Sequence, residues 1–505
     1  GDVYKRQSNM KKIYRTIVLL SATAVLGTSC SDWLNVYPSD QIKEEFLFET
    51  GNGYRAALNG VYRKMASWSI YGSNLKWGLI DAWGQVYDMQ LSTIQHGGQA
   101  MVKIEGLDFK HYELVSATDQ MWNDSWNVVA NCNELAQQAE QADSTLFYGG
   151  ELERKMILGE AIGLRAYLQF DLLRVYAPSL AMNPEKRTFI PYVNEYPSYV
   201  NNRQTVSYCL EQVIKDLKRA QDLLTEVDKD VRWNWRFNEE TNDEKKFLSA
   251  RGYRLNYYAI TAQLARVYLY ANMPDEAYEQ AAILIEQNSN FEALVGNAGL
   301  KAIKNGNVKM FDDIIFALYS PTDQVEWDRL INHTSDTAEG SSEKDKFLGI
   351  TAEIAERRYG DDLETDWRIC YQMEKKNIDD YCTMKYYQQP ESFAYSEDNN
   401  QIVPMLRMSE VYYIAAEAIY QQDLETAKKY LSHVKKTRGV ITDLENVTKD
   451  NFMNVLVNDA QREFFGEGQT FFMFKRLMRT MKGREEVQAT EENMVLPLPT
   501  SESEF

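Results

Sequence analysis

Two stretches, 258–288 and 408–438, carry the same spacing of small and large apolar residues. In the first, Leu264, Ala265, Tyr268, Ala277, Ala281 and Leu284 fall at positions 7, 8, 11, 20, 24 and 27. In the second, Ile414, Ala415, Ala418, Ala427, Leu431 and Val434 fall at the same positions. Two antiparallel helices satisfy this spacing. Small residues at 8 and 20 let the backbones approach, and the larger ones fill the seam between them. Met273-Pro274-Asp275-Glu276 opens the second helix of the first pair, with proline in the first turn and acids at the positive end of the dipole.

These are tetratricopeptide offsets, but the two units lie 150 residues apart, so no tandem array is expected. Other segments have the 3.6-residue period of a helix. Residues 160–177 place Ala161, Leu164, Leu168, Leu172 and Val175 on one stripe, and Pro178 stops the helix. Residues 205–226 do the same with Leu210, Val213, Ile214, Leu217 and Ala220. The expected fold is mainly α: tetratricopeptide-like helix pairs in an α-solenoid-like core, with loop-rich insertions and minor β. A repeat core alone binds peptides or acts as a scaffold, so specific function is expected in the insertions.

The N-terminus reads as an address. Met10-Lys11-Lys12-Ile13-Tyr14-Arg15 is basic, and Ile17 to Gly27 is apolar or small. That run is too short to span a bilayer as a resident helix. Thr28, Ser29 and Cys30 follow, so residues 1–29 are expected to be a leader plus lipoprotein signal, with Cys30 lipidated. Residues 1–9 fit no signal convention and are set aside. An ordinary signal peptide with a chance cysteine is the competing reading. Stable anchoring takes more than one acyl chain, which a lipobox cysteine supplies. Cys132 and Cys209 sit in helical patterns and read as buried thiols, while Cys370 and Cys382 are a candidate pair in an exported protein.

The formal charge of −19 repels phosphate backbones, which argues against nucleic-acid binding. Four histidines and no HExxH offer little to a zinc enzyme, and there is no GxSxG, P-loop or dinucleotide GxGxxG. Carboxylate-pair glycosidases have no comparable motif, so a helical glycoside hydrolase stays open beside a binding protein and a scaffold.

Seven pieces, in order, resemble the SusD/RagB family of surface lipoproteins from Bacteroidota. They are the opening Cys30 to Asp40, the helix Gly53 to Tyr62, the stretch with Trp122, Trp126, Asn131 and Asn133, and residues 159–178 (GEAIGLRAYLQFDLLRVYAP). Residues 406–418 (LRMSEVYYIAAEA), Arg462 to Gln469 with Lys475-Arg476, and Leu496-Pro497-Leu498-Pro499 complete the set. Thr470 and Met473 depart from the Arg and Asp often found there, pointing to a distinct subgroup. The chain stops soon after Pro499, which suggests a clipped C-terminus.

The resemblance implies a SusD-like body over 30–505, with an N-terminal part to about 240 that carries ligand loops and a C-terminal part from about 250. It also implies a non-enzymatic role at the outer-membrane surface: capture of an oligosaccharide and delivery to a SusC-like TonB-dependent transporter. The lipid would be the only membrane contact. Peptide-binding relatives keep peptide cargo open.

With 10 Trp, 32 Tyr and 20 Phe, the chain has rings beyond a core's needs. Sugars stack their C–H faces on such rings, with polar groups at the rim. Residues 66–90 interleave Trp68, Tyr71, Trp77, Trp83 and Tyr87 with Asn74, Asp81, Gln85 and Asp88, and form the first candidate site. Its expected ligand residues are Asn74, Trp77, Asp81, Trp83 and Tyr87. Tyr319 with Trp327, in the insertion between the repeat units, is another. Arg232-Trp233-Asn234-Trp235-Arg236 is a weaker one, since its rings and cations can pair among themselves. No cofactor is expected. The acidic stretch Asp361 to Asp366 offers oxygens to calcium but lacks the spacing of an EF-hand, so a solvated loop competes.

Overall fold

The computed structural model describes residues 44–91, 99–184, 186–199, 201–229, 247–286, 291, 293–320, 348–377, 380–386, 389–441 and 444–503. Cys30 and its leader, the Arg232–Arg236 cluster and Trp327 lie outside the described residues. Helices α1 (Gly51–Met65), α2 (Leu79–Trp83), α3 (Gln99–Glu105), α4 (Tyr112–Gln141), α5 (Gly150–Tyr176) and α6 (Val206–Asp228) form the first half. Then come α7 (Tyr257–Tyr270), α8 (Pro274–Glu286), α9 (Gly296–Lys304) and α10 (Ala352–Tyr359). The last long helices are α11 (Met408–Ile419), α12 (Leu424–Thr437), α13 (Lys449–Glu463) and α14 (Thr470–Leu477). Residues 49–505 form one compact unit.

Both predicted repeat units are helix pairs, α7–α8 and α11–α12, and all twelve patterned residues are buried. Asn256 caps α7 by accepting from the Ala259 N–H at 2.9 Å, and Asp423 caps α12 by accepting from Thr426 at 3.0 Å. Although far apart in sequence, the pairs are neighbours in space. Helix α8 packs on α11, and α7 packs on both α6 and α11. Helix contacts thus run from one pair to the next across the residues that separate them in sequence.

Helix α5 differs from its sequence reading. It starts ten residues earlier than the expected stripe, and every residue from Met156 to Tyr176 is buried. A helix enclosed on all sides is core. Its polar groups are therefore matched. Arg165 donates to both Asp216 oxygens at 2.8 and 3.0 Å, Glu160 takes Arg251 and Arg254, and Asp171 takes Tyr71 and Arg174. Ala177 is extended (φ −129°, ψ 152°), as the following proline requires.

The strands are short: β1 (Thr188–Ile190), β2 (Gln204–Thr205), β3 (Ile314–Tyr319), β4 (Gly349–Thr351), β5 (Met373–Asn377), β6 (Asp380–Thr383), β7 (Ile402–Arg407), β8 (Met481–Lys482) and β9 (Glu486–Val487). The ribbon β3–β7 is antiparallel, with Ile314 opposite Arg407 and Tyr319 opposite Ile402. A small sheet has the order β4-β6-β5.

The C-terminal motif residues form a buried ion cluster. Glu463 accepts from Arg407 at 2.5 Å, from Arg438 at 2.6 and 2.9 Å, and from Arg368 at 3.3 Å. Glu467 accepts from Arg407 at 2.8 and 2.9 Å and from Lys385 at 2.6 Å. Asp313 completes the set through Arg438 at 2.6 Å. Three elements distant in sequence are thus joined through matched charges: the end of β7, the end of α12 and the end of α13.

Cys370 and Cys382 are not joined in a disulfide. Cys132 and Cys209 are buried, and burial pushes both thiols up to about 12, as inert core thiols.

Candidate ligand site

The rings of 66–90 do not form a surface. Tyr71, Trp77, Trp83 and Tyr87 are each 0% exposed, as is Asp81, while Asn74 is 8% exposed; only Trp68 is partly open. The expected stacking platform is therefore corrected to a polar-lined core layer. Trp77 donates its indole N–H to Gly72 O at 2.7 Å and packs between Trp68 and Tyr386. Trp83 donates to Asn493 O at 2.8 Å and stacks on Phe471 with centroids 4.1 Å apart. Tyr87 meets Phe465 edge-on and its hydroxyl faces Asp81. Asn74 bonds to Ser69 O at 3.3 Å. The interleaved polar residues, read as a sugar-binding rim, serve the core's own N–H, O–H and backbone groups.

Asp81 shows why the layer is closed. Its Oδ1 accepts the N–H of Gly468 at 3.1 Å, in the loop between α13 and α14. Gly468 has φ +70°, and a Cβ there would lie 2.8 Å from the Lys76 Cα, so the two chain segments meet at backbone distance.

Burial raises the Asp81 carboxyl from 3.8 to about 7, against the Gly468 N–H and Lys76, and burial lowers Lys76 to about 8. A carboxyl raised in the folded state contributes stability that is complete below about 4 and is lost as pH rises through about 7. Asp81→Asn keeps the acceptor and removes the charge. The melting temperature of the variant relative to the parent is expected to climb between pH 5 and pH 8. The climb corresponds to roughly 2 kcal/mol, and a flat difference across that range would refute the assignment.

Tyr319 is different. It ends β3 with 49% of its surface exposed, where most of that strand is core. Its hydroxyl donates to Gln401 Oε1 at 2.6 Å, and its ring lies 5.5 Å from that of Tyr253, tilted by 58°. Tyr253 packs on Ile314, Ala317 and Ile402, so the pair stands on a rigid base. The backbone of Gln401 is also fixed, its carbonyl accepting from Ser320 at 2.8 Å. The result is an exposed, pre-oriented ring beside an amide whose Nε2 is a donor for a hydroxyl. The sequence reading named Tyr319 as a candidate and did not name its neighbours Tyr253 and Gln401. No local motif marks either, because the β3–β7 pairing and the short turn 251–253 bring them together.

The acidic stretch has its own partners. Asp366 pairs with Arg368 at 2.8 Å, and Asp362 with Arg462 at 2.8 Å. Among the described residues, no group of three or more His, Cys, Asp or Glu is placed to hold a metal ion.

Two family models match the chain. Residues 360–497 match the SusD family model, and residues 99–269 match a SusD-like model described as starch-binding associating with outer membrane. Both matches are to models of the SusD family. No curated protein matches it. Solved SusD-superfamily structures share its fold. One from Bacteroides thetaiotaomicron is 20% identical with a TM-score of 0.66, the alignment covering 90% of this chain and 98% of that one. One from Bacteroides vulgatus is 21% identical with a TM-score of 0.66, covering 90% and 96%. A second from that organism, a SusD-like carbohydrate binding protein, is 16% identical with a TM-score of 0.65, covering 90% and 96%. The SusD helical fold is thus shared almost end to end. No helix among the described residues is long and apolar enough to cross a membrane.

Proposed function

We propose that this SusD-family protein captures an oligosaccharide at the cell surface, without turning it over, and delivers it to a SusC-like TonB-dependent transporter. Lipid on Cys30 holds it to the outer membrane. The observation that carries the binding step is the half-exposed Tyr319 ring with its hydroxyl on Gln401. A sugar C–H face stacks on such a ring, and the neighbouring amide donates to a hydroxyl. The starch-binding description of the matching family model and the carbohydrate-binding relative support the ligand class.

The test is a glycan array with the protein lacking its leader, beside Tyr319→Ala. The parent binds at least one oligosaccharide and releases no shortened product on prolonged incubation. Tyr319→Ala binds it about tenfold more weakly or worse, a loss of about 1.4 kcal/mol, with stability changed by less than about 1 kcal/mol because the side chain is half exposed. Binding unchanged in Tyr319→Ala would remove this site. Product release would turn the reading toward a glycoside hydrolase, and no glycan bound at all would turn it toward peptide cargo or a scaffold.

A further inference from the structure

A cavity opens between α7, α11 and α14, and shares no residue with the Tyr319 site. It offers about 60 Å³ to the centres of water-sized molecules, room for a ligand of a few heavy atoms. Its wall is charged, yet the charges are nearly all used. Arg266 donates to both Glu410 oxygens at 2.6 Å, and Arg476 to both Glu417 oxygens at 2.6 and 2.7 Å. Arg174 is held by Asp171 and by Gln469 Oε1 at 3.1 Å, with its guanidinium between the rings of Phe170 and Phe472 at 4.6 and 3.8 Å.

Two polar atoms remain. Among the described residues the Tyr270 hydroxyl and Arg174 Nε find no hydrogen-bond partner, although Tyr270 is 5% and Arg174 2% exposed. Leaving buried donors unmade is costly, and native structures rarely do so without a reason. Both vacant groups are donors, Arg174 obligately so. The carboxylates on the wall are already bound to arginines, so no acceptor is spare for a cation. The ion pair Glu417–Arg476 is the more solvent-accessible part of the wall, at 11% and 17% exposure.

We infer that this cavity binds a small carboxylate, one oxygen of which accepts from the Tyr270 hydroxyl and Arg174 Nε. A carboxylate takes several donors at once, and a charge-assisted hydrogen bond inside a protein is stronger than a neutral one.

The probe is ¹³C-labelled acetate, titrated into the whole protein at constant ionic strength and followed by NMR, with chloride as the matched salt. Acetate is expected to bind saturably. Tyr270→Phe removes only an unpartnered hydroxyl, so it keeps or raises the melting temperature while weakening acetate about tenfold or more. Absence of saturable binding overturns the proposal, and so does equal binding by Tyr270→Phe. A high-resolution crystal structure in saturating acetate that shows only water beside the Tyr270 hydroxyl overturns it as well.

Discussion

Glu463→Ala is expected to lower the unfolding free energy by about 3–5 kcal/mol, or to prevent folding outright. Glu463 is 2% exposed and accepts from three arginines, Arg368, Arg407 and Arg438, each from a different part of the chain. Deleting it leaves those guanidinium groups buried with too few acceptors. Burial alone would raise its carboxyl, but Arg438 and Arg407 outweigh burial and hold it well below the ordinary value of 4.5. A carboxyl depressed in the folded state contributes stability that is present above about 4.5 and is lost as pH falls through its folded value. Denaturant titration checks both points: the parent loses stability on acidification below pH 4.5, and Glu463→Ala loses less over the same range. A cost under about 1 kcal/mol at pH 7 would mean that the cluster is not a keystone.

Trp83→Ala is expected to cost about 3–5 kcal/mol, since a fully buried indole is replaced by a cavity. The Phe471 stack and the bond to Asn493 O go with it. That carbonyl lies in the C-terminal segment, so the loss reaches across 410 residues of chain. The consequence for function is sharp. Any fall in glycan binding by Trp83→Ala should follow the unfolded fraction and vanish where the variant is still folded. A variant of parental stability that had lost binding would restore 66–90 as the ligand site.

The helical core was legible because its signal is local. Residues 258–288 and 408–438 carry their packing in their own spacing, and the structure buries all twelve patterned residues. The start of α5 was less legible, since that helix is enclosed by neighbours and its polar residues hide a simple stripe. Exposure of the rings was not legible at all. Trp77, Trp83 and Tyr87 sit among the same residue types that line a sugar site, and the segments that cover them, the Gly466–Gly468 loop among them, return from far along the chain. That glycine pair was in view, but nothing local says which segment it approaches. Tyr319 was named for its place in the insertion. Its neighbour Gln401 depends on strand pairing across 82 residues, and Tyr253 on the short turn 251–253.

The most direct test is a crystal structure of the protein with an array-positive oligosaccharide. A sugar ring is expected in van der Waals contact with Tyr319, within about 4–4.5 Å of its ring atoms, with a hydroxyl on the Gln401 amide and the rings of 66–90 still covered. A sugar seated elsewhere, with Tyr319 bare, would contradict the account.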